Sequence, residues 1–183
     1  MLPISVNIRY ILNDENWFVC KNQAYRVTIQ KGDPDRVYNV PEKAGVIFNI
    51  LERTEEPVKA GNYIVTGAAG ESWPISEKAL RKYDIAPENI TYEPQPCMTK
   101  PVDTVYCAIQ IPSATEFWLC VDYGEIVTLN GNSAPESVPH GTGDYVLVEA
   151  KQDADGKWLP DFESNSQRII NGAIFETLYR KIE

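Results

Sequence analysis

The chain predicts an α+β fold made of two related units, each a mostly antiparallel sheet closed by a short helix. Three observations point there. A glycine–polar–tyrosine strand occurs twice, as Gly61-Asn62-Tyr63-Ile64-Val65-Thr66 and Gly143-Asp144-Tyr145-Val146-Leu147-Val148. A strand of similar pattern precedes each, Tyr25-Arg26-Val27-Thr28-Ile29-Gln30 and Val105-Tyr106-Cys107-Ala108-Ile109-Gln110. An apolar stripe ending in tyrosine follows each, with Leu80 and Tyr83 in the first half and Phe175 and Tyr179 in the second. Repetition of this kind sets architecture before it says anything about chemistry.

Within the first unit, 1–93, the alternation of Val6, Ile8, Tyr10 and Leu12 predicts a strand. Two more are expected at 17–20 and 25–29, and 46–51 reads as a short buried segment. Tyr63 to Thr66 is a strand entered through Gly61 and left through Gly67. Ser76 is expected to cap a helix over 77–83, because a serine oxygen can satisfy an early backbone N–H and Glu77 complements the positive helix end. Three prolines, at 94, 96 and 101, make 94–101 an extended connector.

The second unit, 102–183, predicts strands near 103–111, 116–121 and 125–129, with Tyr123-Gly124 as a turn. A polar loop then runs to His140. The strand 144–150 folds back through Asp155-Gly156 onto Lys157-Trp158-Leu159-Pro160, a hairpin signal. Arg168 to Ile170 is a further short strand. Asn171 is expected to cap a final helix over 172–181.

The glycine–polar–tyrosine segments resemble a Gly-Asp-Tyr module of phage and prophage proteins, the family named after its Pro-Gly-Asp-Tyr-Gly motif. Gly70-Glu71-Ser72-Trp73-Pro74, Ala108-Ile109-Gln110 and Thr128-Leu129-Asn130-Gly131 carry the rest of the resemblance. The chain departs from it at Asn62, at Ala60 and Thr142, and by the insertion 151–155. The resemblance implies a phage-type origin and a folded module, and no particular activity. A further echo, Trp17-Phe18-Val19-Cys20 against Phe117-Trp118-Leu119-Cys120, is out of order with the repeat and reads as chance.

Composition narrows the partners. The net charge is −9, of which residues 101–183 carry −8 from 5 basic and 13 acidic side chains. Such a surface repels phosphate backbones, which argues against nucleic acid. No apolar run approaches the ~20 residues of a membrane span, and the start has no secretory pattern, so a cytoplasmic protein is expected, inside the host cell if phage-encoded. Cys20, Cys97, Cys107 and Cys120 are too scattered for a zinc site and are expected as free core thiols.

No catalytic signature emerges. Gly67-Ala68-Ala69-Gly70 lacks the lysine of a phosphate-binding loop and reads as a hairpin turn. Asp153-Ala154-Asp155-Gly156 lacks the remaining ligands of a calcium loop. His140 has no nucleophile elbow to serve. Aromatic side chains beside glycine-rich loops are the better lead, since a half-exposed ring can stack a planar ligand. The expected ligand site comprises Tyr63, Gly67, Gly70, Trp73, Tyr145, Trp158 and His140, with no metal and no cofactor. The expected function is non-enzymatic binding or sequestration of a small nucleotide-like molecule, which in a phage would suit counter-defence. Two alternatives stay open: a protein partner held by the acidic second half, or an enzyme centred on His140.

Overall fold

The computed structural model describes residues 16–110, 117–122, 125–130, 143–164 and 167–183. The expected strand at 6–12, the turn at 123–124 and the loop to His140 lie outside them. The chain divides into two compact units, Met1–Asn22 with Val102–Glu183 and Gln23–Pro101. The second is therefore an insertion in the first. This differs from the expected division into 1–93, a connector and 102–183.

In the inserted unit, β1 having already passed as Phe18–Asn22, the strands are β2 (Arg26–Lys31), β3 (Val46–Asn49), β4 (Thr54–Pro57), β5 (Tyr63–Thr66), β6 (Ser72–Ile75) and β7 (Gln95–Met98). They form a sheet of order β6-β5-β2-β7 and a separate β3–β4 hairpin. The extended segment 94–101 is more than a connector: it supplies β7. Pro96 is tolerated because β7 is an edge strand, where a missing donor costs no ladder bond on the open side.

The other unit contributes β1, β8 (Val105–Gln110), β9 (Phe117–Asp122), β10 (Glu125–Asn130), β11 (Tyr145–Gln152), β12 (Trp158–Pro160), β13 (Gln167–Ile170) and β14 (Tyr179–Lys181). The order is β12-β11-β8-β1-β14, with β13 also pairing β11, and β9–β10 form a separate hairpin. Among the described residues every strand pairing is antiparallel.

The architecture is β-sheet rather than α+β, which corrects the expected class. The predicted helix at 77–83 is a 3-10 segment, Glu77–Lys82, and the Ser76 side chain makes no capping bond. The predicted helix at 172–181 shrinks to one α-turn, Phe175–Leu178; Asn171 Oδ1 accepts from the Ala173 N–H and the Asn171 carbonyl from the Ile174 N–H, both ahead of that turn. The physical reason is competition with the sheet. Tyr83 bridges Thr99, and the Asp84 and Lys100 N–H groups bond Met98 and Lys82 carbonyls. Tyr179 enters β14 against Asn22. A helix this short recovers too few bonds to offset its nucleation, so the chain returns to strand pairing.

The two sheets share a frame, pair for pair. Tyr63 faces Lys31 and Ile75, and Tyr145 faces Gln110 and Ile170. Val65 faces Ile29 and Trp73, and Leu147 faces Ala108 and Arg168. Val27 faces Cys97, and Tyr106 faces Cys20. Gly61 and Gly143 both enter their strands at positive φ, 81° and 89°, where glycine is favoured. The frames differ in chain order. The strand beside β2 is the last of its unit, β7, whereas the strand beside β8 is the first, β1. The hairpins β3–β4 and β9–β10 leave their frames at the same point, between β2 and β5 and between β8 and β11.

One face of each frame packs on its terminal tyrosine. In the inserted unit Val27, Ile29, Val65, Leu80, Tyr83, Ile90 and Cys97 form the core. In the other, Cys20, Tyr106, Ala108, Leu147, Phe175 and Tyr179 do so. Phe175 lies 5.5 Å from Tyr179 in a stacked pair and 3.9 Å from Tyr145, so the α-turn exists to insert one ring between two. The opposite faces hold Ile47, Val58 and Ile64 in one unit, and Ile109, Val146, Val148 and Ile169 in the other.

Removing the ring of Tyr83 or Tyr179 as alanine should cost about 3 kcal/mol or more in denaturant unfolding, the usual loss for a buried aromatic. An unchanged midpoint for either would contradict the packing. A second outcome follows from the insertion. Asn22 Oδ1 accepts from the Val102 N–H at 3.3 Å, and Lys21 pairs with Asp103 at 2.7 Å, so the two crossing ends are held side by side. Replacing 23–101 with a short glycine–serine linker should therefore leave a cooperatively unfolding β-protein. A chain without a cooperative transition would contradict the unit division.

Candidate functional site

Each unit has its own surroundings for the predicted site residues. In the inserted unit, Tyr63 and Trp73 are brought together, both half-buried against the Tyr83 core. The Trp73 indole N–H donates to the Tyr83 hydroxyl, while burial and then Cys97 raise the phenol above its ordinary value. These rings support the core.

The 67–71 loop is likewise occupied with itself. Glu71 is 5% exposed, and its carboxylate accepts from the Ala69 N–H at 2.8 Å. Gly67 donates to the Glu71 carbonyl and Gly70 to the Gly67 carbonyl. A side chain at Gly67 would run into the Glu71 carboxylate, and Gly70 turns the chain at φ 81°. A built-in anion already sits where a bound phosphate would need free donors.

In the other unit, Tyr145 and Trp158 part company. Trp158 stands opposite Gln152, seven residues along β11 from Tyr145, or about 23 Å of strand. Tyr145 stacks on Phe175 and meets Phe18 edge-on, and burial followed by Glu176 raises its phenol. It is a core residue. The place corresponding to Trp73 is taken by Arg168, which donates to the Tyr179 hydroxyl and lies 5.2 Å from the Tyr106 ring centre. His140 lies outside the described residues.

Trp158 instead lines a groove of ≈ 700 Å³ with Trp17, Phe18, Val19, Cys107, Lys157 and Glu183. Val19 and Cys107 are cross-strand partners on β1 and β8. Phe162 stacks on Trp17 at 6.3 Å and braces it. Trp158 and Lys157 are brought there by the β11–β12 hairpin, whose turn is tied by Asp153: its Oδ1 accepts from the Asp155 and Lys157 N–H groups at 3.0 and 2.9 Å. Among the described residues no cluster of three or more His, Cys, Asp or Glu could hold a metal, and no helix is long and apolar enough to cross a membrane. Sequence reasoning missed Trp17 as a site residue. It stands at the edge of the expected strand 17–20, and nothing in its local pattern separates a groove-lining ring from a strand residue.

The thiol in the groove wall is inert at neutral pH. Burial pushes Cys107 up to about 11, and burial together with Cys107 pushes Cys20 up to about 12, against an ordinary 9.0. Cys97 is also raised, by burial and then Asp84. All three are free; the Cys120 thiol lies outside the described residues. Compared with family models, curated proteins and solved structures, the chain matches none.

The thiol shifts fix a direction with pH. A raised folded value favours the protonated fold, so this stability is complete below pH 9.0 and is lost as pH rises toward 11 and 12. The melting temperature should fall across that window, and Cys20→Ala should flatten the fall. A slope unchanged by that substitution would contradict the assignment.

Proposed function

We propose that the protein is a non-enzymatic binding protein that holds a small planar, nucleotide-like ligand in the groove between Trp17 and Trp158. The observation that carries this is the meeting of two indoles on one groove of ≈ 700 Å³, a volume within the usual range for small-molecule sites. An indole offers a large π-face with little conformational freedom to lose, and base–aromatic stacking contributes about 1–3 kcal/mol per base. Val19 and Cys107 add an apolar wall. The Cys107 thiol of this wall is raised by burial, so it presents an apolar surface to the groove. The site is narrower than the sequence suggests: Trp158 remains, Trp17 joins it, and Tyr63, Trp73 and Tyr145 serve their cores.

Titration of tryptophan fluorescence with a nucleobase and nucleoside panel tests the reading. Trp158→Ala should weaken the best ligand about tenfold or more, the equivalent of about 1.4 kcal/mol. The ligand should be recovered chemically unchanged after long incubation. A changed product would replace binding with catalysis, and full affinity in both Trp158→Ala and Trp17→Ala would move the site elsewhere.

A further inference from the structure

We infer that the groove selects an uncharged planar ligand, a nucleoside or free nucleobase, over nucleotides carrying a polyphosphate; this rests on the binding reading above. Three observations carry it. The first is the charge of the unit that holds the groove. Residues 1–22 with 102–183 contain 7 basic and 15 acidic side chains, a net −8. A polyphosphate approaching such a unit meets a repulsive field at low salt.

The second is the charge lining the groove itself. Lys157 supplies one positive group and Glu183 one negative group. These cancel, whereas a triphosphate carries several negative charges and is usually met by a cluster of cations or a metal ion.

The third observation concerns backbone donors. Loops that cradle phosphates do so with free, convergent N–H groups. At the β11–β12 turn, which brings Gly156 and Lys157 to the groove, the donors are already committed. Asp155 and Lys157 N–H groups go to Asp153 Oδ1. The Asp153 N–H goes to the Lys157 carbonyl, and the Gly156 N–H to the Asp153 carbonyl. Converting this turn into a phosphate nest would break bonds that hold Trp158 in place. What remains for recognition is stacking on the indoles that line the groove, with the Lys157 ammonium and Glu183 carboxylate available to the polar edge of a base.

The test is a fluorescence titration of the full chain with adenosine, guanosine, cytidine and uridine, each against its own monophosphate and triphosphate, at low and at physiological salt. The expected result is one nucleoside binding about tenfold or more tighter than its triphosphate. That gap should narrow as salt screens the repulsion. Glu183→Gln should narrow the gap by raising triphosphate affinity relative to nucleoside affinity. A triphosphate that binds as tightly as its nucleoside, or more tightly, overturns the selectivity and leaves the groove reading intact. Absence of any quench across the panel, with the fold verified by circular dichroism, overturns both.

Discussion

Both sheets depend on one constraint, the closure of a frame by a buried tyrosine. Tyr83 and Tyr179 each come off a short helical segment, a 3-10 helix in one unit and one α-turn in the other, and re-enter antiparallel pairing, opposite Thr99 and Asn22. Each ring then lies over a cysteine of the same strand, Cys97 or Cys20, and over the central strand β2 or β8. Each hydroxyl takes a donor from the corresponding place on the neighbouring strand, Trp73 in one unit and Arg168 in the other. A buried phenol without a partner is costly, so this bond and the ring's burial act together. The short helices follow from the same constraint, because their task is to deliver the tyrosine to the sheet.

The units differ in structure on the opposite face. In the inserted unit the β3–β4 hairpin sets Ile47 near Ile64 and Val58, making a small second core. In the other, β11 continues beyond the shared frame to Gln152 and turns into β12. That extension carries Trp158 to a groove walled by Val19 and Cys107. The residues 151–155, by which the chain departs from the Gly-Asp-Tyr motif, form the end of β11 and the turn that leads to Lys157 and Trp158 in the groove wall. Asp153 has a structural task there: it satisfies the turn that aims Trp158, as Asn62 does for the Lys59 N–H elsewhere.

Much of the strand layout was legible. The segments at 17–20, 25–29, 63–66, 103–111, 116–121, 125–129, 144–150, 157–160 and 168–170 all correspond to strands, because alternating apolar residues between turn residues report sheet directly. The helices were misjudged because an apolar stripe followed by tyrosine fits a helix face equally well, and only tertiary pairing decides. Aligning Gln30 with Gln110 was one residue off. Lys31 faces Tyr63 while Gln110 faces Tyr145, so Ile29 packs toward Tyr83 whereas Ile109 packs on the opposite face. A shift of one residue reverses a strand's faces, and sequence similarity is blind to that. Trp73 and Trp158, both expected in the site, occupy different places because the longer β11 hairpin carries the second tryptophan along the sheet, opposite Gln152. Proline density at 94–101 concealed β7, since an edge strand needs only half of its backbone donors.

The central claim, that two frames share one register and differ in chain order, is tested most directly by cross-strand nuclear Overhauser contacts of Cys20 and Cys97 in the intact protein. The account predicts contacts from Cys20 to Tyr106 and from Cys97 to Val27, each accompanied by contacts to the ring of its own terminal tyrosine, Tyr179 or Tyr83. A register displaced by one residue in either unit, with Cys97 opposite Thr28 or Cys20 opposite Cys107, would contradict it.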